Sequence, residues 1–133
     1  MKSNLSHLQI NVRPENLGFY KELLTFLGWQ VLFEEGEFFG MGCGQGSSLW
    51  FGAGLKDLDN DYDGRGMNHL AFAVDCKEEV DETVAYLKKH NIPALFETPR
   101  HRPEFSSPGN TYYQVMFESP DKILFEVVYI GTK

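Results

Sequence analysis

Leu5-Ser6-His7-Leu8-Gln9-Ile10-Asn11-Val12 alternates: Leu8, Ile10 and Val12 point one way, His7, Gln9 and Asn11 the other. That is a strand with one apolar face and one unusually polar face. The pattern reopens at Asn68-His69-Leu70-Ala71-Phe72-Ala73-Val74, with His69 in the place of His7 and Val74 in that of Val12. The segments downstream of the two strands match as well. After the first, Pro14 opens a helix at its first-turn position, with Leu17, Tyr20, Leu24 and Leu27 on one stripe and Gly28 as the stop. Trp29 to Glu34, Phe38 to Cys43 and Ser48 to Phe51 then read as strands, parted by Glu35-Gly36-Glu37 and Gly44-Gln45-Gly46. After the second, Asp75 with Glu78 makes a capping-box-like helix start, and Val80, Val84 and Leu87 form the buried stripe. Asn91 and Pro93 end that helix, and Ala94 to Glu97, Thr111 to Phe117 and Ile123 to Ile130 supply three more strands.

Leu32-Phe33-Glu34 even returns as Leu95-Phe96-Glu97, at nearly the offset that relates the two histidines. The predicted architecture is therefore α+β: a single domain over 1–133 made of two βαβββ modules, about 4–54 and 66–131. A polar connection from Leu55 to Gly66 joins them. Each helix would cover one face of its sheet, leaving the opposite faces to curl around a shared cavity.

The bulk properties narrow the function. With 133 residues, 42% hydrophobic and 23% charged, the chain has the composition of an ordinary globular domain. A formal charge of −7, with Lys88-Lys89-His90 as the only dense basic cluster, argues against nucleic acid, which requires a concentrated basic face. No apolar run is long enough to span a bilayer, so no membrane partner is expected. No apolar segment succeeds Met1-Lys2-Ser3-Asn4, and Cys43 and Cys76 form neither a metal-type spacing nor a disulfide framework; a cytoplasmic location is expected.

The chemistry lies on the strands' polar faces. His7 and His69 hold equivalent places, and Glu126 interrupts the otherwise apolar Ile123-Leu124-Phe125-Glu126-Val127-Val128-Tyr129. A carboxylate in such a strand is costly to bury unless it is paired or bound to a metal. Two imidazoles and one carboxylate form a facial triad that leaves coordination positions open, suited to Fe, Mn, Zn, Ni or Co as one divalent ion. Each residue alone also has a plainer reading, as a hydrogen-bonded core group or a solvated rim. His90, beside Lys88 and Lys89 at a helix end, reads as a dipole partner. His101 reads as part of a long loop between strands, from which it could reach the site as a catalytic group beside Glu126.

Phe19-Tyr20-Lys21-Glu22-Leu23-Leu24-Thr25-Phe26-Leu27-Gly28-Trp29 resembles the first helix and glycine exit of the vicinal oxygen chelate superfamily, the glyoxalase, bleomycin-resistance and extradiol-dioxygenase group. Phe117-Glu118-Ser119-Pro120-Asp121-Lys122, with Glu126 beyond it, resembles that family's F-x-D-P-D-G turn before its last metal-binding Glu, with Ser119 and Lys122 departing from the pattern. The resemblance implies a small-molecule substrate and a homodimer, with the cavity formed within one chain or by exchange of modules. Glyoxalase I members use a further Glu on the last strand of the first module. Here Ser47-Ser48-Leu49-Trp50-Phe51-Gly52-Ala53-Gly54 offers no such ligand, with Gly52 or Phe51 opposite Glu126 in the repeat alignment. Gly46-Ser47-Ser48-Leu49-Trp50 is similar to the stretch of the family's thiol transferases whose Trp lines the cavity, although Gln9 replaces their Thr.

Two functions are expected from this. The first is a metal-dependent lyase, thiol transferase or dioxygenase acting on a small oxygen-chelating substrate, with Gln9, Asn11 and Trp50 shaping the cavity. The second is a metal-free protein that sequesters a small molecule or antibiotic. Its support is the 14% aromatic content, with Phe38, Phe39, Tyr112 and Tyr113 on inner strands.

Overall fold

The computed structural model of the protein describes residues 1–53 and 56–133. Gly54 and Leu55, at the expected end of the first module and start of the connection, lie outside the described residues. The chain divides into two compact units, Met1–Asp59 and Asn60–Lys133.

In the first unit, β1 (His7–Val12) leads through a 3-10 turn at Pro14–Asn16 into α1 (Leu17–Phe26), then β2 (Gln30–Glu35), β3 (Phe38–Gly42) and β4 (Ser48–Ala53). The sheet order is β1-β4-β3-β2, with β1 parallel to β4 and the other pairs antiparallel. The second unit repeats this plan with β5 (Leu70–Val74), α2 (Lys77–Lys89), β6 (Leu95–His101), β7 (Asn110–Glu118) and β8 (Leu124–Thr132), in the order β5-β8-β7-β6. The two modules read from the sequence are thus present as two four-stranded α+β units of one topology.

One face of each sheet is sealed by its helix. In the first unit Tyr20, Leu23 and Leu24 of α1 are fully buried, and the Tyr20 ring stacks on Phe51 with centroids 4.8 Å apart. In the second, Val80 and Leu87 of α2 are buried with Phe72, Phe117, Phe125 and Val127. Burial of each such side chain contributes roughly 1.5–3 kcal/mol.

Both helices stop as the sequence predicts. Gly28 and Asn91 adopt positive φ, and Trp29 N–H and Ile92 N–H reach back to the Leu24 and Leu87 carbonyls, closing a Schellman turn at each end. The start of the second helix differs from expectation. The N-cap of α2 is Cys76, so the third helical position falls on Glu79, and its carboxylate, not that of Glu78, accepts the Asp75 N–H at 2.8 Å.

The larger correction is at β6. The strand continues to His101, in register with Tyr113, instead of ending at Glu97. A register shift between Leu95 and Arg100, with positive φ at Phe96 and Glu97, breaks the side-chain alternation there. A strand whose alternation is interrupted in this way reads as a loop in the sequence.

Candidate functional site

The face of each sheet opposite its helix carries the polar residues. On the first unit's open face, His7, Gln9 and Asn11 stand beside Ser48, Trp50 and Gly52 in the parallel β1–β4 register. Gly40 makes room for the indole: a Cβ there would lie 2.4 Å from the Trp50 ring. Trp50 stacks on Phe38 with centroids 5.6 Å apart, and its Nε1–H donates to Ser48 Oγ. Of the four aromatic residues assigned to inner strands, Phe38 and Tyr112 do lie on open faces. Phe39 instead stacks on Phe51, and the Tyr113 hydroxyl donates to Asp81 of α2, so both belong to helix-covered faces.

The second unit brings two of the named residues into contact. Ala71 pairs with Glu126 and Met116 pairs with Glu126, so Glu126 projects on the open face with Tyr112, Gln114 and Met116. Glu126 is 1% exposed, His69 Nε2 lies 2.9 Å from its Oε2, and the Tyr112 hydroxyl donates to its Oε1 at 2.7 Å. Burial first, and the adjacent Glu126 second, push the Tyr112 hydroxyl up to about 12, so it stays protonated and remains a donor at neutral pH.

The imidazole is oriented by a chain of contacts from the connecting segment. Asn68 Nδ2 donates to the Tyr62 carbonyl at 3.0 Å, which turns Asn68 Oδ1 toward His69 Nδ1 at 2.8 Å. An amide oxygen only accepts, so Nδ1 carries a proton. Nε2 then faces a carboxylate oxygen across 2.9 Å, a spacing that a shared proton or a metal ion can bridge. His7 repeats part of this arrangement, with Nδ1 3.0 Å from Ser6 Oγ.

These two groups fit a divalent ion. Neighbouring ligands ~2.1 Å from one octahedral ion are themselves ~3 Å apart, close to the Nε2–Oε2 separation. A hydrogen bond holding the far nitrogen of the ring is the usual outer support of a histidine ligand. Among the described residues, no group of three or more His, Cys, Asp or Glu side chains is gathered as a metal site. His69 and Glu126 are a pair, and His7 belongs to the first unit.

His101 is not brought to this pair. Its register partner Tyr113 faces α2, and its Nδ1 hydrogen-bonds Thr111 Oγ1 on that same side. There it lines a cleft of about 540 Å³ with Lys77, Tyr113 and Tyr129. Because β6 is a strand as far as His101, alternation turns His101 toward the helix, and its neighbours Arg100 and Arg102 lie on the open face with Gln114.

Asn68 and Gln114 are functional candidates that sequence reasoning missed, and Tyr112 was read only as an inner-strand aromatic, not as the partner of Glu126. The available signal was parity: Tyr112 and Gln114 alternate with the helix-facing Thr111, Tyr113 and Val115. The repeat alignment of β4 needs correction as well. Gln9 pairs with Trp50 as Ala71 pairs with Glu126, so Trp50, not Gly52 or Phe51, occupies the place of Glu126. The first unit still offers no carboxylate at that place, and an indole N–H is no metal ligand.

Comparison with known proteins agrees with the fold. A crystal structure of a candidate glyoxalase from Bacillus halodurans is 29% identical, with a TM-score of 0.78 and 94% of each chain covered. A mutant of the fosfomycin resistance protein FosX from Listeria monocytogenes, complexed with Mn(II) and 1S,2S-dihydroxypropylphosphonic acid, is 25% identical, with a TM-score of 0.67, covering 96% of this chain and 90% of that one. Lactoylglutathione lyase from Agrobacterium tumefaciens is 19% identical, with a TM-score of 0.65 and coverage of 96% and 94%. No curated protein matches the sequence. Among the described residues, no helix is long and apolar enough to cross a membrane. The family profile that matches spans residues 4–127, and the chain belongs to the Glyoxalase/Bleomycin resistance protein/Dioxygenase superfamily.

Proposed function

We propose that the protein is a metal-dependent enzyme acting on a small oxygen-chelating substrate. His69 and Glu126 would hold one divalent ion, and His7, their counterpart through the repeat, would be the third ligand, from the same chain or from a second copy in a homodimer. The observation that supports this most is the buried Glu126 carboxyl facing His69 Nε2 at 2.9 Å, with the other ring nitrogen already held by Asn68. The complex of FosX with Mn(II) and a small oxygen-rich acid supports the same class of site.

When bound, the ion would supply Lewis-acid stabilisation of negative charge developing on substrate oxygen. The protein's own groups have defined tasks. Asn68 keeps the His69 ring in one orientation and tautomer. Tyr112 holds Glu126 Oε1, so the carboxyl presents Oε2. Gln9, Asn11 and Trp50 provide polar and flat apolar contacts on the first unit's open face.

Isomerisation of the methylglyoxal–glutathione hemithioacetal is not expected, because that chemistry uses a second carboxylate and the equivalent place is filled by Trp50. The test is an assay of that reaction with Ni, Zn, Mn, Co or Fe supplied. Turnover lost in Glu126→Gln would overturn this exclusion and call for another base. A metal-free sequestering role has one specific support, the Trp50–Phe38 stack with Phe33 beside it. Tight binding of planar compounds, unchanged in Glu126→Gln, would favour that role.

A further inference from the structure

The same open face that bears Glu126 also bears two arginines. Arg100 is in register with Gln114, which is two residues from Met116, the register partner of Glu126. Paired residues of an antiparallel ladder share a face, so Arg100 projects on the Glu126 side. Arg102 lies two residues further on, its N–H donates to the Tyr112 carbonyl, and its Nη1 donates to Gln114 Oε1 at 3.2 Å. Its guanidinium carbon sits 4.8 Å over the Phe105 ring, which fixes the plane of the fork.

Arg100 Nε is buried without a hydrogen-bond partner, the one such side-chain atom among the described residues. The carboxylates already near the two arginines lie toward solvent. Glu97 is 3.7 Å from Arg100 and its side chain is 89% exposed; Glu104 contacts Arg102 at 2.6 Å and is half exposed. Exposed pairs of this kind are weak and exchange readily for a better acceptor. The Arg100 side chain is 41% exposed, and the accessible nitrogens of its planar guanidinium match the oxygens of a carboxylate or a phosphoryl group.

We infer that Arg100 and Arg102 form a subsite for an anionic oxygen group of the substrate, Gln114 holding Arg102 in place. This deepens the proposed function and rests on it in one respect: the same substrate would offer its other oxygens at the His69–Glu126 end. The substrate class is then a small oxyacid, anionic at one end and chelating at the other.

The test is an NMR titration of metal-free full-length protein with inorganic phosphate and, separately, with acetate, at constant ionic strength. It is read at the Arg100 Nε–H and at the Tyr112 and Gln114 backbone amides. A saturable shift is expected with at least one anion, and the preferred one identifies the acid class. Binding should weaken about tenfold or more in Arg100→Gln and Arg102→Gln, and also in Arg100→Lys, which keeps the charge but loses the fork. It should persist in Glu126→Gln. Non-saturating drift with both anions, or equal binding in folded Arg100→Lys and wild type, would overturn the inference. Titration of the same proteins with Mn(II) separates the two readings. Anion binding without metal binding upholds the subsite and removes the metal-dependent reading, whereas metal binding without anion binding does the reverse.

Discussion

His69 Nε2 and Glu126 Oε2 face each other across 2.9 Å on the open side of a sheet whose other side is sealed by α2. The orientation is imposed from outside the pair. Tyr62 fixes the Asn68 amide and Asn68 fixes the imidazole, while Tyr112 restrains the carboxyl from its other oxygen.

Asn68→Ala should therefore weaken divalent-metal binding by about 10–100-fold while leaving the fold intact, since outer-shell partners of histidine ligands have effects of that size. Isothermal titration of wild type and variant with Mn(II) or Zn(II), alongside matched circular dichroism spectra, checks it. Unchanged affinity would mean that the Tyr62–Asn68 chain does not orient the ring.

The turn before β8 makes a separate prediction about stability. Ser119 Oγ accepts the Asp121 and Ile123 N–H groups, filling with a hydroxyl the role an aspartate would have, and Lys122 adopts φ of 59°. A lysine there is in the left-handed region that glycine occupies without strain. Lys122→Gly should stabilise the protein by about 0.5–1 kcal/mol, measurable as an upward shift of the urea midpoint.

How much of the fold and site was legible in the sequence depended on whether local pattern and tertiary structure agreed. At Gly28 and Asn91 they agree, so both helix ends were readable. Glu126 was readable because a carboxylate in an apolar strand is conspicuous whatever surrounds it. Arg100 and His101 were not, because positive φ at Phe96 and Glu97 shifts the register of β6 and hides its alternation. The pattern therefore favoured His101, which faces α2, over the two arginines beside it. The role of Asn68 was also hidden, since it depends on a carbonyl whose position only the folded chain defines.

Alkaline pH should reveal the packing of α2. Burial, then the hydrogen bond to Asp81, push the Tyr113 hydroxyl up to about 12. Its unfolded value is about 10. The native state therefore retains this proton where the unfolded chain has lost it, so the stabilisation is full below pH ~10 and declines as pH rises toward ~12. Urea unfolding at about pH 8, 10 and 11 should show a falling midpoint, with a shallower fall in Tyr113→Phe. Identical slopes would place the alkaline sensitivity elsewhere.

The proposal that His69 and Glu126 hold a divalent ion rests on their 2.9 Å approach. Metal analysis of protein purified without chelator, then titration of the metal-free protein, tests this most directly for wild type, Glu126→Gln and His7→Ala. The expected result is one ion per site in wild type, with affinity reduced at least ~100-fold in Glu126→Gln and strongly reduced in His7→Ala. No saturable binding by folded wild-type protein to Mn, Fe, Co, Ni or Zn, or binding undiminished in Glu126→Gln, would contradict it.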